Sequence, residues 1–308
     1  MTLWEQIVDG MNDISGVHPG FRAAHAKGVV FKGTFTPDPE SAKLCRAPHL
    51  QGDAVETTIR FSNGGGDPTA PDADRRDGKG LAVKFHLPGG EATDLVFVSI
   101  PVFLVRDEHS FLEFVQARKP DPETGEMDME KVGAYLAEHP ETGAALQLVL
   151  PALTPPRSYA TTPYNSLHAF RLVNADGEGR WVRYRWVPEA GDETLSDEEI
   201  ENAANDYLQE EIVERVAAGP VTFELVARLA EEGDTLDDPT IPWPEEREAV
   251  TLGRLEVTEA VEEPPDLIND PMNLCDGIEP SEDRILAARS HAYGVSIERR
   301  LAARPAAG

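Results

Sequence analysis

Cysteine is scarce in this chain. Cys45 and Cys275 are the two among 308 residues, and they form no metal-spacing motif. Basic residues are also few: 28 Lys and Arg stand against 56 Asp and Glu, a formal net charge of −28. Such a surface repels nucleic acid and anionic membrane, and it repels itself at low salt. Long apolar runs are missing too, because no segment reaches the eighteen or so residues a membrane span requires. The N-terminal "MTLWEQIVDGMNDISG" carries acids and no basic start, so it does not read as a signal peptide. These absences predict a soluble protein in a reduced, cytoplasmic setting, with no nucleic-acid or membrane partner.

Histidine is sparse, eight in all, and no pair has the i, i+4 spacing of a helical zinc site. His18, His49, His86, His109 and His139 lie beside proline, in loops or at element ends, and read as structural. With 40% hydrophobic against 27% charged residues, the chain has enough apolar material to fold, and its length suits one large core.

Periodicity divides the chain. Leu3, Ile7, Met11 and Ile14 share a helical face that stops at Ser15-Gly16, which predicts a helix over about 1–15. "GVVFKGTF", "AVETTIRFS", "GLAVKFHL" and "DLVFVSIPVFLV" are β-rich runs between Gly, Pro and Asp clusters, an antiparallel sheet closing into a barrel. "DEHSFLEFVQAR" and "DMEKVGAYLAEHP" have helical spacing, and the second stops where His139 precedes Pro140. Asn174-Ala175-Asp176-Gly177 has hairpin-turn chemistry between two alternating arms. "LSDEEIENAANDYLQEEIVERVAAG" predicts one acidic-start helix ending at Gly219, and "VTFELVARLAE" and "REAVTLGRLEVTEAV" supply two more strands. The tail "SEDRILAARSHAYGVSIERRLAAR" predicts a helix with a Ser cap and arginines at its end. Without repeats or low-complexity linkers, residues 1–308 read as one domain, with its core over about 16–300.

The candidate chemistry centres on "FRAAHAKG", where His25 stands among alanines with Arg22 three residues before it. Arg22, His25, Ala26 and Gly28 reproduce "R-x-x-H-A-x-G", the distal-histidine segment of the haem catalases. "IRFSNGGGDPTAPDADRRDGKGLAVKFH" is similar to the family's "VRFS…D…RD-x-RG-x-AVKF" stretch, "PVFLVRD" to "PVFFIRD", and "YNSLHAFRLVNADGEGRWVRY" to "Y-x-S-H-x-F-x-L-VN-x-x-G". "RSHAY" resembles the "R-x-x-x-Y" helix that supplies the iron-binding tyrosinate. A helix sets Arg289 and Tyr293 four apart on one face, so the guanidinium reaches the phenol oxygen. The resemblance runs from about residue 16 to 300.

That resemblance implies an α+β fold: an antiparallel eight-stranded β-barrel of catalase type with flanking helices, without the arm, wrapping segment and C-terminal helices of full catalases. It implies haem b, with Tyr293 as iron ligand and Arg289 beside it. It also implies His25 as the distal base, Ser62 bonded to its far nitrogen, Arg60 and Arg22 on the propionates, and Phe111 against the porphyrin. The family's "DLVGNNTPVFFIRD" carries a distal asparagine, whereas this chain reads "DLVFVSIPVFLVRD", and alignment puts Ser99 in the asparagine's place. Rapid dismutation of hydrogen peroxide is therefore not expected. The expected activity is a haem peroxidase that reduces hydrogen peroxide or organic hydroperoxides with a small organic electron donor. The alternatives are a fatty-acid hydroperoxide isomerase or dehydratase of the allene oxide synthase type, and a non-catalytic haem-binding or haem-sensing protein. A homodimer is one assembly this reading allows.

Overall fold

A computed structural model of the chain describes residues 1–303. Helix α1 (Leu3–Ser15) leads into strands β1 (Gly28–Pro37), β2 (Val55–Asn63), β3 (Lys79–His86) and β4 (Ala92–Val98), with a short helix α2 (Ser41–Leu44) after β1. Helices α3 (Glu108–Ala117), α4 (Met129–Glu138) and α5 (Pro140–Ala152) follow. Strands β5 (Tyr164–Asn165), β6 (Phe170–Val173) and β7 (Gly179–Pro188) come next, then α6 (Asp197–Glu201) and α7 (Tyr207–Ala218). Strands β8 (Val221–Leu229), β9 (Ala249–Val261) and β10 (Ile278–Pro280) precede the last helix, α8 (Arg284–Ala302).

All described pairings are antiparallel. They run β1-β2-β3-β4-β5-β7-β8-β9 and back to β1, a closed ring of eight strands, with β6 and β10 attached outside it through β7. Closure removes the exposed edges that open sheets must otherwise protect. Alternation in β7 shows why the sequence builds such a wall: Val182, Tyr184 and Trp186 are buried, while Trp181, Arg183 and Arg185 turn the other way. The barrel is packed solid with large side chains, among them Phe31, Phe35, Phe61, Phe85, Phe97 and Phe223. Gly33 marks a register shift between β1 and β9, where a Cβ would strike the carbonyl of Glu256.

Four expectations change in detail. The apolar run "DLVFVSIPVFLV" is strand only to Val98; the Ser99 N–H makes a last bond to Lys79 O, 2.8 Å, before Pro101, which has no N–H to offer. The single helix expected over 195–219 is two, α6 and α7. Asp72 breaks it by taking the free amides of Leu208 (2.8 Å) and Gln209 (3.4 Å) at the start of α7. Helix α8 is capped by Asp283 rather than by Ser281, through bonds from Ile285 and Leu286 N–H; its expected end at Arg304 lies outside the described residues. Helix α5 has no counterpart in the sequence reading, because its apolar residues surround the axis: Val149 is buried while Leu148 and Leu150 are exposed. Among the described residues no helix is long and apolar enough to cross a membrane.

Candidate functional site

Outside the barrel, α1, α3, α5 and α8 lean over the wall of β2, β3 and β4 and enclose a cavity of about 360 Å³, within the usual range for ligand sites. Strand register fixes the wall. Arg60 pairs with Ala82 and Ala82 with Val96; Ser62 pairs with Gly80 and Gly80 with Val98. Because neighbours along a strand point to opposite faces, these two cross-strand rows face outward into the cavity while Ile59, Val83 and Leu95 fill the barrel. Gly80 and Ala82 leave the middle of the wall flat.

His25 lies against this wall. Its Nδ1 is 3.0 Å from Ser62 Oγ, and its backbone N–H is tied to Gly64 O at 3.0 Å. A Cβ on Gly80 would come within 2.7 Å of Ser62 Oγ and 2.8 Å of the imidazole, so glycine is required for the pair to sit there. Burial, with the charges of Arg60, Arg289, Arg22 and Lys79, depresses His25 to about 3, which keeps the ring neutral. His25 (φ 54°) and Leu167 (φ 64°) are the non-glycine residues with left-handed backbone among those described, and strain of this kind gathers at working sites.

Across the cavity, α8 presents one stripe: Ile285, Ala288, Arg289, Ala292, Tyr293, Ser296, Ile297 and Arg300 all line it, at the three- and four-residue spacing of a single face. Arg289 donates to the Tyr293 hydroxyl from Nη2 at 2.9 Å and from Nε at 3.3 Å. Its Nη1 meets His168 Nε2 at 3.0 Å, and His168 Nδ1 meets Asp283 Oδ2 at 2.6 Å. Asp283 therefore has two tasks, capping α8 and fixing the tautomer of His168, which lets the imidazole accept from Arg289. Burial outweighs Asp283 and keeps His168 below its ordinary pKa.

At the rim, Glu263 accepts from Arg22 Nη1 and from Arg60 Nε, the latter at 2.9 Å, with Arg300 Nη1 3.7 Å away. Leu267 O takes a bond from Arg22 at 2.8 Å and from Arg300 at 2.7 Å. Phe111 lines the cavity from α3, edge-on to Phe103 at 5.7 Å.

Seven of the eight expected site residues therefore border one cavity: Arg22, His25, Arg60, Ser62, Phe111, Arg289 and Tyr293. Ser99 does not. Its Oγ accepts from Lys79 N–H at 2.9 Å, while its neighbours Val98 and Ile100 line the cavity. Side-chain alternation is the reason, since Val98 shares a row with Gly80 and Ser62, and its successor turns away. The sequence reading missed His168, Asp283, Arg300 and Glu263. Two carried a signal: His168 is the histidine of the "Y-x-S-H-x-F" motif, given no role there, and Arg300 lies seven residues, two helical turns, beyond Tyr293.

Comparison with known proteins gives the family and the fold. A family model described as "Catalase" matches residues 19–305. The "Catalase-related peroxidase" of Synechococcus elongatus is 36% identical over 300 residues, covering 96% of this chain and 88% of that protein. Its namesake from Mycolicibacterium paratuberculosis is 37% identical over 304 residues, covering 96% and 94%. A Pseudomonas syringae catalase is 30% identical, and this chain spans 58% of its length. In architecture the chain superposes on a fungal catalase with a TM-score of 0.83, at 25% identity, covering 96% of this chain and 62% of the other.

Proposed function

The chain belongs to the catalase family, and we infer that it is a haem-dependent peroxidase that reduces hydrogen peroxide or organic hydroperoxides with an organic electron donor. The observation that carries this is the pairing of a neutral imidazole, His25 on Ser62, with an arginine-bound phenol, Tyr293 on Arg289, on opposite sides of one cavity.

The residues fit a haem. The wall is flat at Gly80 and Ala82, arginines gather at one rim, and Asn269 Nδ2 on the cavity lining is a buried donor with no partner among the described residues, a group that costs stability unless a ligand satisfies it. Tyr293 would bind the iron, with two guanidinium donors offsetting negative charge on its oxygen. Arg22 and Arg60 would hold the propionates of the proposed haem b, and Phe111 would pack on the ring. Haem supplies the electron-transfer chemistry.

The chain's own work is proton handling. Ser62 holds Nδ1 of His25, so the other nitrogen, Nε2, takes the proton from the inner oxygen of the peroxide and returns it to the outer one, which leaves as water or an alcohol. Val98, Ile100, Val149 and Leu153 add apolar lining, which suits an alkyl hydroperoxide better than a site built from hydrogen-bond donors alone. The free thiols, Cys45 and Cys275, agree with a reducing, cytoplasmic location.

Hemin reconstitution tests the assignment. The protein is expected to take up hemin with a tyrosinate spectrum that Tyr293→Phe abolishes. His25→Ala should keep hemin but lose about a hundredfold or more in peroxide cleavage. Because His25 is depressed to about 3, the wild-type cleavage rate should be flat from pH 5 to 8, without the inflection near 6.5 of an ordinary histidine. A protein that stays colourless with hemin would disprove the reading.

A further inference from the structure

The proposed haem anchor already holds a carboxylate. Glu263 Oε1 accepts from Arg22 and Oε2 from Arg60 at 2.9 Å, with Arg300 3.7 Å off. We propose that Glu263 is a built-in stand-in for a haem carboxylate: in the haem-free chain it occupies the seat between Arg22 and Arg60, and a propionate enters by displacing it.

This rests on the haem reading above and adds a step to it. Three guanidinium groups crowded at one rim repel each other. Even with Glu263 in place, burial and the neighbouring charge of Arg60 pull Arg22 down to about 9. Glu263 offsets part of this repulsion until the cofactor arrives, and a propionate that takes its seat does the same. Burial alone would raise its carboxyl, but Arg60 and Arg22 outweigh that and hold it below the usual range, so it competes as an anion at neutral pH.

Its place in the chain suits a movable group. Glu263 lies just beyond the end of β9, whose Val261 pairs with Val30, and before Leu267, whose carbonyl is held by Arg22 and Arg300. Between those two ties, Glu262, Pro264, Pro265 and Asp266 are exposed. The segment can withdraw its carboxylate without breaking a strand pairing.

The test is uptake of hemin, with two free carboxylates, and of its dimethyl ester, with none, by the haem-free full chain, followed by Soret absorbance and stopped flow. Glu263→Gln is expected to bind hemin at least tenfold faster and more tightly than wild type and to show no gain with the ester. Unchanged or weaker hemin binding, or an equal gain with the ester, would overturn the proposal while hemin uptake by wild type leaves the haem reading standing. No hemin uptake by wild type would overturn both. Should Glu263→Gln fail to fold by circular dichroism, Glu263→Asp is read in its place: its shorter reach should raise hemin affinity about threefold, and wild-type affinity would count against the proposal.

Discussion

Ser62, Gly80 and Val98 form one cross-strand row, and each is there for a different physical reason. Ser62 holds the imidazole, Gly80 makes room for it, and Val98 sets the polarity of the distal wall. Catalases place an asparagine pair at Val98 and Ser99, and the register decides which of the two matters. Val98→Asn is expected to raise the rate of hydrogen peroxide dismutation by tenfold or more, since one oriented donor is worth up to a few kcal/mol in a transition state. Ser99→Asn should leave that rate unchanged, because the side chain at 99 faces the Lys79 backbone. Oxygen-evolution rates of the two hemin-loaded variants decide the matter. At this scale the sequence was legible where a motif names a residue, as with His25 and Tyr293, and ambiguous where adjacent residues compete for one place.

Elements show a second kind of dependence. Helix α7 begins where it does because Asp72, fully buried in a distant loop, binds the amides of Leu208 and Gln209. The same carboxylate meets Lys27 Nζ and Asn63 Nδ2, each at 2.7 Å. Asn63 in turn accepts from Tyr159 at 2.6 Å, so one acid ties the segment after His25, strand β2 and α7 together. Asp72→Asn removes the charge and puts amide hydrogens among donors, leaving Lys27 without its buried partner. A loss of about 3 kcal/mol in stability is expected from denaturant unfolding; a loss below about 1 kcal/mol would show that water already shares the task. Asp283 is comparable, capping α8 and orienting His168 at once. Their long-range roles could not be singled out in a chain with 56 acids, because His168 lies 115 residues from Asp283 and Leu208 136 from Asp72.

For the whole molecule the dominant quantity is charge. A net −28 on 308 residues makes the compact state repel itself, and salt screens that repulsion. Raising sodium chloride from about 0.05 to 1 M should lift the Tm of the haem-free protein by at least about 3 °C, equivalent to about 2 kcal/mol for a chain of this size; a flat or falling Tm would mean that the ion pairs seen on the surface already balance the excess. By itself the sequence determined the strand alternation, the four-residue spacing of Arg289 and Tyr293, and the motif around His25, since these are local periodicities that survive in any folded context. Only the tertiary structure decided that Val98 rather than Ser99 faces the cavity, that Asp72 cuts one helix into two, and that Glu263 sits among three arginines. Those outcomes depend on cross-strand register and on contacts closed over a hundred residues or more, where the identity of a side chain says nothing about which distant group it will meet.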